Sequence, residues 1–586
     1  MNTHHLRSIA VAWLLFQGHP VVWAWAVLAS SKSRRQAVTR PSETASEVAE
    51  VISLQDPHRR DPPAVVFRRL ADVCEEEGID TWDVYGDFPA AALARPQQEK
   101  EAADREANDE ETGNVDNVDG IDNKKGDINN NGSDQDTENY DIDSDSEDTS
   151  NNNSEPEASP SFLRRFELEI AKEVGKEDAV FMPSGVMAQS IALLIHQNAK
   201  KRTGDGSGQY FVCHETSHLL LHEQEAYSAL LHMKPIAVST RGDANEEGLE
   251  TPAMGFSHVL ETLTDLQWSE SVLTNNVAAL LVELPHRELG GKITPWEDLV
   301  RLSDWCQNRK IPLHCDGARL FESTVAYEGR SPAELAALFD SVYLSFYKGL
   351  GGISGAMLCG SAAFCAEART WLRRFGGNLY TLLPYAVSAY DGYQRNWKDT
   401  LSVESEVENS DQEEIENNLE VGLSPPPSYP MGFGEQRNKL RQIVAKLSSE
   451  ELSLIPRLVT FDPAVPVTNM VHGYLRCSAE EGMEWCRWIT AATGVQVLRR
   501  IRPLKDSDSP MWKAGYRSMF EWSMGNANGQ IPEDVFFEGW KALAETYVAN
   551  NAALENGESP IEYSEVDEEL EEEESPAGTT IETSNE

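Results

Sequence analysis

Positive charge is scarce in this chain: 50 Lys and Arg stand against 97 Asp and Glu in 586 residues, a formal net charge of −47. That balance disfavours nucleic acid as a partner, because such binding depends on neutralising phosphates. The deficit is local. Residues 99–157 carry −17, residues 404–420 carry −8 and residues 555–586 carry −13, which leaves −9 for the rest. These three acidic stretches cannot bury enough apolar surface to offset the entropy of ordering, so disorder is expected there. The remainder is an ordinary, mildly acidic globular protein, and 40% hydrophobic content suffices for a real core.

Paired cysteine motifs are also lacking. The eight cysteines form no CxxC pair and no dense framework, so they read as core thiols in a reducing compartment, and a cytoplasmic location suits them. Metal-ligand spacing is missing too: residues 116–127 resemble a calcium loop in composition, without the ligand spacing or closing glutamate of an EF-hand. Ser144 and Ser146 among acids could be phosphorylated, against the plainer reading of a solvated linker. No long apolar run is unbroken. Residues 9–29 are largely apolar but interrupted by Gln17-Gly18-His19-Pro20, and residues 1–40 contain no Asp or Glu. This segment could be a signal peptide, an anchor, a transit peptide or a wrongly joined exon.

What the chain does have is one lysine with unusual company. Residues 341–346 have strand composition, and Lys348 follows with Gly349, Gly351, Gly352 and Gly355 close behind. Glycines there let the backbone approach a ligand. A lysine projected from a strand end into a closed site is desolvated, which lowers its pKa and makes the amine nucleophilic. Taken alone, such a lysine is more often an exposed turn residue. About thirty residues upstream, the short apolar strand 311–315 ends on Asp316, with Arg319 just past the turn. A carboxylate so placed can face a heteroaromatic nitrogen. Strand and helix patterns alternate from 179 to 346, which means a mostly parallel sheet whose ligand belongs at the strands' carboxyl ends. Lys348, Asp316 and His286 all fall at such ends. Between strand 179–182 and helix 186–197, the turn Pro183-Ser184-Gly185 brings free backbone amides to a helix N-terminus, which suits a phosphate. His214, His218 and His222 fall within nine residues, a density that shifts the balance against incidental surface histidines.

From Phe181 to about Tyr385 the chain resembles the threonine aldolase and aromatic amino acid β-eliminating lyase family, fold type I enzymes that use pyridoxal 5′-phosphate. The segments that carry the resemblance, in order, are Phe181-Met182-Pro183-Ser184-Gly185, Ser217-His218 with Glu223, Glu283-Leu284-Pro285-His286 with Gly290-Gly291-Lys292, His314 to Arg319, and Lys348-Gly349-Leu350-Gly351. The implied class is an α/β, PLP-dependent transferase-like fold type I protein, with a large domain of mostly parallel sheet and a small C-terminal α+β domain. The expected divisions are an apolar and basic lead (1–50), a helical segment of the catalytic domain (51–97), an acidic insertion (98–159), the large domain (160–396), an acidic and Pro-rich insertion (397–430), the small domain (431–550) and an acidic tail (551–586).

The resemblance also implies roles. Lys348 binds the cofactor aldehyde, Asp316 holds the ring nitrogen, and Ser184, Gly185 and Val186 meet the phosphate, with Val186 standing where the family usually has threonine. Arg319 joins the cofactor-binding set. His218 stacks on the ring, and His222 stands where many relatives carry an aromatic residue. His286 lies near the substrate hydroxyl and is followed by Arg287 in place of the frequent asparagine. Tyr85, in Asp83-Val84-Tyr85-Gly86, could reach a neighbouring subunit's cofactor, and Arg517 is placed to grip the substrate carboxylate, with Arg499, Arg500 and Arg502 as competitors. The expected reaction is Cα–Cβ cleavage of a β-hydroxy-α-amino acid to glycine and an aldehyde, with His286 or His222 as the base. The alternatives are β-elimination by the same residues and a catalytically silent scaffold. A homodimer or homotetramer acting on a small amino acid is implied, and the acidic segments name no partner.

Overall fold

The computed structural model describes residues 51–58, 61–79, 160–202, 204, 206–241, 251–380, 382–401, 430–507 and 509–555. Residues 1–50, Tyr85 and its loop, the insertion 98–159 and the tail beyond 555 lie outside the described residues.

Seven strands build the large sheet: β2 (Asp178–Met182), β3 (Tyr210–His214), β4 (Lys234–Val238), β5 (Val277–Glu283), β6 (Leu313–Gly317), β7 (Ser341–Ser345) and β8 (Ala356–Gly360). A two-residue strand, β1 (Ile52–Ser53), precedes them. The spatial order is β2-β8-β7-β6-β5-β3-β4, with β8 antiparallel to both its neighbours and all other pairs parallel. Helices on both faces account for the near-continuous burial of strands such as β5, whose Val277-Ala278-Ala279-Leu280-Leu281-Val282 run is apolar throughout. The expected α/β class with a mostly parallel sheet is what is found.

The antiparallel exception has a local cause. The chain between β7 and β8 returns directly through residues 346–355, without a crossover helix, and a direct return pairs strands antiparallel. Gly355 closes that return at φ +111°, where an added Cβ would lie 2.6 Å from the Phe181 ring. Lys348 is thus carried on a short loop pinned at both ends by core strands.

The helix Leu383–Tyr393 continues through the π-helical turn Gln394–Lys398 to residue 401. Trp397 is buried there, 4.9 Å from the Phe321 ring and 6.2 Å from Phe433. The boundary expected at 396 therefore moves to 401. An apolar tryptophan among polar residues marked the wrong edge.

The C-terminal domain holds an antiparallel sheet of β9 (Val459–Asp462), β10 (Met470–Leu475), β12 (Arg502–Pro503) and β13 (Ser518–Ser523) in the order β12-β13-β10-β9. Helices Phe433–Leu447, Ala479–Thr493 and Glu533–Glu555 accompany it, and Phe520, Trp522, Phe536 and Trp540 fill the core. β1 pairs in parallel with β11 (Val495–Gln496), and Leu54 is fully buried in this same core. Helix Pro63–Glu76 packs instead on Leu383–Tyr393 of the large domain, with Arg69 paired to Asp391 at 3.1 Å. The segment expected to belong wholly to the catalytic domain therefore straddles the two, and residues 54–58 pass between them. All eight cysteines are free thiols. Among the described residues no helix is long and apolar enough to cross a membrane.

Candidate active site

Register places two carboxylates side by side. Glu283 ends β5 opposite Asp316 of β6, so both side chains project from one face of the sheet at its carboxyl edge. Glu283 is anchored by the backbone N–H groups of Arg287 (3.0 Å) and His218 (3.2 Å). Against the cost of its burial, His286 and those two donors hold its carboxyl below the usual range. Asp316 is only 3% exposed and accepts the Ala318 N–H at 3.2 Å. Burial, reinforced by the adjacent Glu283, pushes its carboxyl up to about 7, while Lys348 and His218 pull the other way. Of the two acids, one is locked ionised as a clamp and the other is poised for a cationic partner.

Lys348 lies three residues beyond β7, on the loop that β8 closes. Burial, then the neighbouring Arg319 guanidinium, lowers its amine to about 8, against the opposing pull of Asp316 and Glu283. At pH 7 an amine of that pKa is neutral in roughly one molecule in ten, against about one in 3,000 for an ordinary lysine. Next to it the Gly349 N–H donates to Glu322 Oε1 at 3.1 Å, which fixes the loop backbone.

Gly185 opens the 18-residue helix Gly185–Arg202. A Cβ at this position would lie 2.0 Å from the Tyr343 hydroxyl, so no other residue fits without moving that ring. Ser184 Oγ accepts the Met187 N–H at 3.3 Å, and Val186 turns outward at 39% exposed. The first turn thus keeps amide donors available for an anion.

The histidines are divided by their partners. His218 Nδ1 meets Glu223 Oε1 at 3.0 Å, which settles the ring's orientation, and its centroid is 5.1 Å from that of His222. His222 is exposed and paired through Nε2 with Glu288 at 2.8 Å. His286 is buried, and its Nε2 meets Thr216 Oγ1 at 2.9 Å.

Residues 153–418 match the family model described as β-eliminating lyase. That matched stretch belongs to the family. Its relatives include a low-specificity L-threonine aldolase of Arabidopsis thaliana, 27% identical over 40% of this chain and 60% of that one. Another is the aldolase vrtJ of Penicillium aethiopicum, 31% identical over 36% of this chain and 48% of that one. The chain thus spans 48 to 60% of these curated relatives. Similar solved structures are a putative L-allo-threonine aldolase from Listeria monocytogenes, with 30% identity, 65% and 86% coverage of the two chains and a TM-score of 0.49, and a putative aromatic amino acid β-eliminating lyase/threonine aldolase from Exiguobacterium, with 30%, 67%, 91% and 0.49. The large domain has the fold type I architecture of this family.

The surroundings of the lysine are rich in arginine. A cavity of about 560 Å³ opens beside Lys348, lined among others by His58, Arg287, Arg319, Arg499, Arg500, Arg502 and Glu521. Glu521 receives Arg287 Nε at 2.7 Å and Arg319 Nη2 at 3.6 Å. Burial would raise its carboxyl, yet Arg319 and Arg287 hold it down at about 2. A second, closed gap of about 10 Å³ lies behind, between His214, Ser217, Glu283, His286 and Asp316.

Arg517 does not line the cavity. It is exposed, donates to the Trp512 and Tyr516 carbonyls at 3.0 and 2.8 Å, and stacks 4.7 Å over the Trp512 ring. The cations at the cavity are its expected competitors Arg499, Arg500 and Arg502, together with Arg287 and Arg319. His58 and Gln55 were not anticipated. Gln55 Nε2 donates to the Glu521 carbonyl at 2.7 Å, and its Oε1 accepts the N–H groups of Arg499 and Arg500 at 2.7 and 2.9 Å. Burial lowers the pKa of His58, which is hydrogen-bonded to the Lys348 backbone and sits beside Gly351. Nothing in the local pattern around Gln55-Asp56-Pro57-His58 announces a site. Only the tertiary path of residues 54–58 brings them there.

Proposed function

We propose that this protein is a pyridoxal 5′-phosphate-dependent lyase that splits the Cα–Cβ bond of a β-hydroxy-α-amino acid, threonine or phenylserine in type, into glycine and an aldehyde. The observation that carries the reading is the pairing at the carboxyl edge of the sheet: a lysine amine lowered to about 8 beside a buried carboxyl raised to about 7. The donor set fits the cofactor. Lys348 offers a nucleophilic amine for its aldehyde, Asp316 a buried carboxylate for a protonated ring nitrogen, and Ser184 with Gly185 a helix N-terminus for its phosphate. When bound, the cofactor supplies an electron sink for the pair left on Cα as the bond breaks.

The chain's own residues do the rest. Glu223 fixes the His218 imidazole that the resemblance assigns to the ring face. Arg319 and Arg502, at the cavity wall, are the cations for the substrate carboxylate. His286 takes the β-hydroxyl proton, the carbonyl of the aldehyde forms as Cα–Cβ breaks, and a proton added at Cα completes glycine. His222, exposed and engaged by Glu288, is the poorer base. The names of the relatives support the aldolase reading at the level of the class.

The family's description favours one rival, β-elimination on another amino acid. Incubating the cofactor-loaded protein with threonine, phenylserine and cysteine separates the two. Aldehyde plus glycine is expected; ammonia plus a keto acid would replace the proposed reaction with elimination, and no turnover of any kind would leave only a silent scaffold. Association into a dimer or tetramer is part of the proposal. The lysine loop presents Tyr347 and Ile353 at 40% and 49% exposure, a surface suited to a second copy.

A further inference from the structure

Behind His286 runs a chain of hydrogen bonds whose direction is set from its far end. The Thr240 hydroxyl donates to the Pro252 carbonyl at 2.8 Å, an oxygen that can only accept. Thr240 Oγ1 must then accept from His214 Nε2, 2.9 Å away, so that nitrogen carries the imidazole hydrogen. His214 is buried and neutral, its pKa pushed down to about 3 by desolvation and by His286. Its Nδ1 is therefore bare. It accepts the Thr216 N–H at 3.1 Å and faces the Thr216 hydroxyl at 2.9 Å.

The Thr216 hydroxyl has one hydrogen to place. Pointing it away from His214 would set two lone pairs against each other at 2.9 Å, so it points toward His214 Nδ1. Its oxygen then accepts from His286 Nε2, also at 2.9 Å. The hydrogen of His286 is thereby assigned to Nε2. Among the described residues no hydrogen bond engages His286 Nδ1.

We infer that Thr240, His214 and Thr216 are positioning residues that hold His286 in its Nε2–H form, leaving Nδ1 as the one lone pair able to take the substrate's β-hydroxyl proton. This rests on the proposed aldol cleavage. A neutral histidine not so wired divides between two tautomers, and only one of them presents a base at a given atom. The wiring also survives the step: once Nδ1 is protonated, Nε2–H still donates to Thr216, and the positive charge arises beside the Glu283 carboxylate. A purely structural role, in which these buried polar groups merely tie β3 and the segment after β4 to the loop after β5, would need the same bonds but would not care which nitrogen of His286 is bare.

Thr216→Val and Thr216→Ser decide the matter, because valine keeps the shape of the side chain without the hydroxyl and serine keeps the hydroxyl without the methyl. In the cofactor-loaded enzyme Thr216→Val should lower kcat about tenfold or more, with KM within about twofold, and Thr216→Ser should restore most of the loss. His214→Phe should follow the valine variant. A valine variant with unaltered kcat, or a serine variant as slow as valine, would overturn the inference. Nitrogen-15 spectra of the histidine side chains give an answer that needs no turnover, with His286→Phe supplying the assignment. His286 should show a protonated Nε2 and a bare Nδ1 in the wild type and a mixture in Thr216→Val; the opposite tautomer in the wild type would sink the relay. If the wild type cleaves no substrate while the spectra show the expected tautomer, the relay stands and the aldolase reading fails.

Discussion

Two pairs of histidines are buried against the same seven-stranded sheet, and they differ in what surrounds them. His196 and His314 have ring centroids 6.2 Å apart and share the Ser341 hydroxyl, each at 2.8 Å, while Gln189 takes His314 Nε2 at 2.7 Å. Burial lowers them to about 4 and about 3. His214 and His286, 4.7 Å apart, are wired with equal thoroughness. The first pair meets Ser341, the opening residue of β7, and His314 is the second residue of β6; the second pair lies at the carboxyl ends of β3 and β5, beside Glu283 and Asp316. Burial and hydrogen bonding alone therefore do not mark a functional histidine. The edge of the sheet does, because at the carboxyl edge loops and helix starts replace packed apolar side chains.

Substitution should separate the two pairs most widely in turnover. His286→Phe is expected to lower kcat by about 10² to 10³ with little change in melting temperature, whereas His314→Leu should leave kcat of the folded enzyme within about twofold. The stability effects should invert, with His314→Leu costing roughly 2 to 3 kcal/mol by stranding the Gln189 Oε1 acceptor and leaving the Ser341 hydroxyl with His196 alone. Equal losses of kcat in both variants would erase the distinction.

Asp316→Asn sharpens the comparison between chemistry and stability at one edge. A carboxyl raised to about 7 in the folded protein, above its unfolded value, stabilises fully only below that unfolded value, and the contribution is lost as pH rises through about 7. In the cofactor-free protein Asp316→Asn should therefore raise stability at pH 8 by roughly 1 to 3 kcal/mol and change little at pH 4, while turnover falls by at least about tenfold. Thermal melting at the two pH values reads the first effect. A variant less stable than the wild type at pH 8 would contradict the buried, uncompensated charge.

The smallest contrast concerns the arginines. Arg502→Met should raise KM for the amino acid about tenfold, and Arg517→Met should leave it within about twofold. The reverse order would return the carboxylate to Arg517.

Much of the site was legible because its residues announce themselves locally. Lys348, Asp316 and His286 each follow an apolar strand and precede a turn rich in glycine, while His218 opens the helix after β3, and a strand's end is a short-range property. Ser184 and Gly185 were legible as a strand-to-helix turn. The rest depends on contacts remote in sequence. His58 reaches the Lys348 loop across 290 positions, since β1 is drawn into the small domain by Leu54. Arg517 misled because it precedes β13. The alternation of that strand sends Phe520 and Trp522 to the core and Glu521 and Ser523 to the cavity, while the Trp512 and Tyr516 carbonyls capture the guanidinium. The neighbourhood of Glu283 and Asp316 is a matter of strand register, which neither segment reveals by itself.

The most direct test of the account is to incubate the protein with pyridoxal 5′-phosphate, reduce it with borohydride and locate the stable adduct by peptide mass mapping. The account predicts one label, on the peptide carrying Lys348, and none in Lys348→Ala. A label on another buried lysine such as Lys292, whose ammonium is already paired with Asp462, or no label at all, would contradict it.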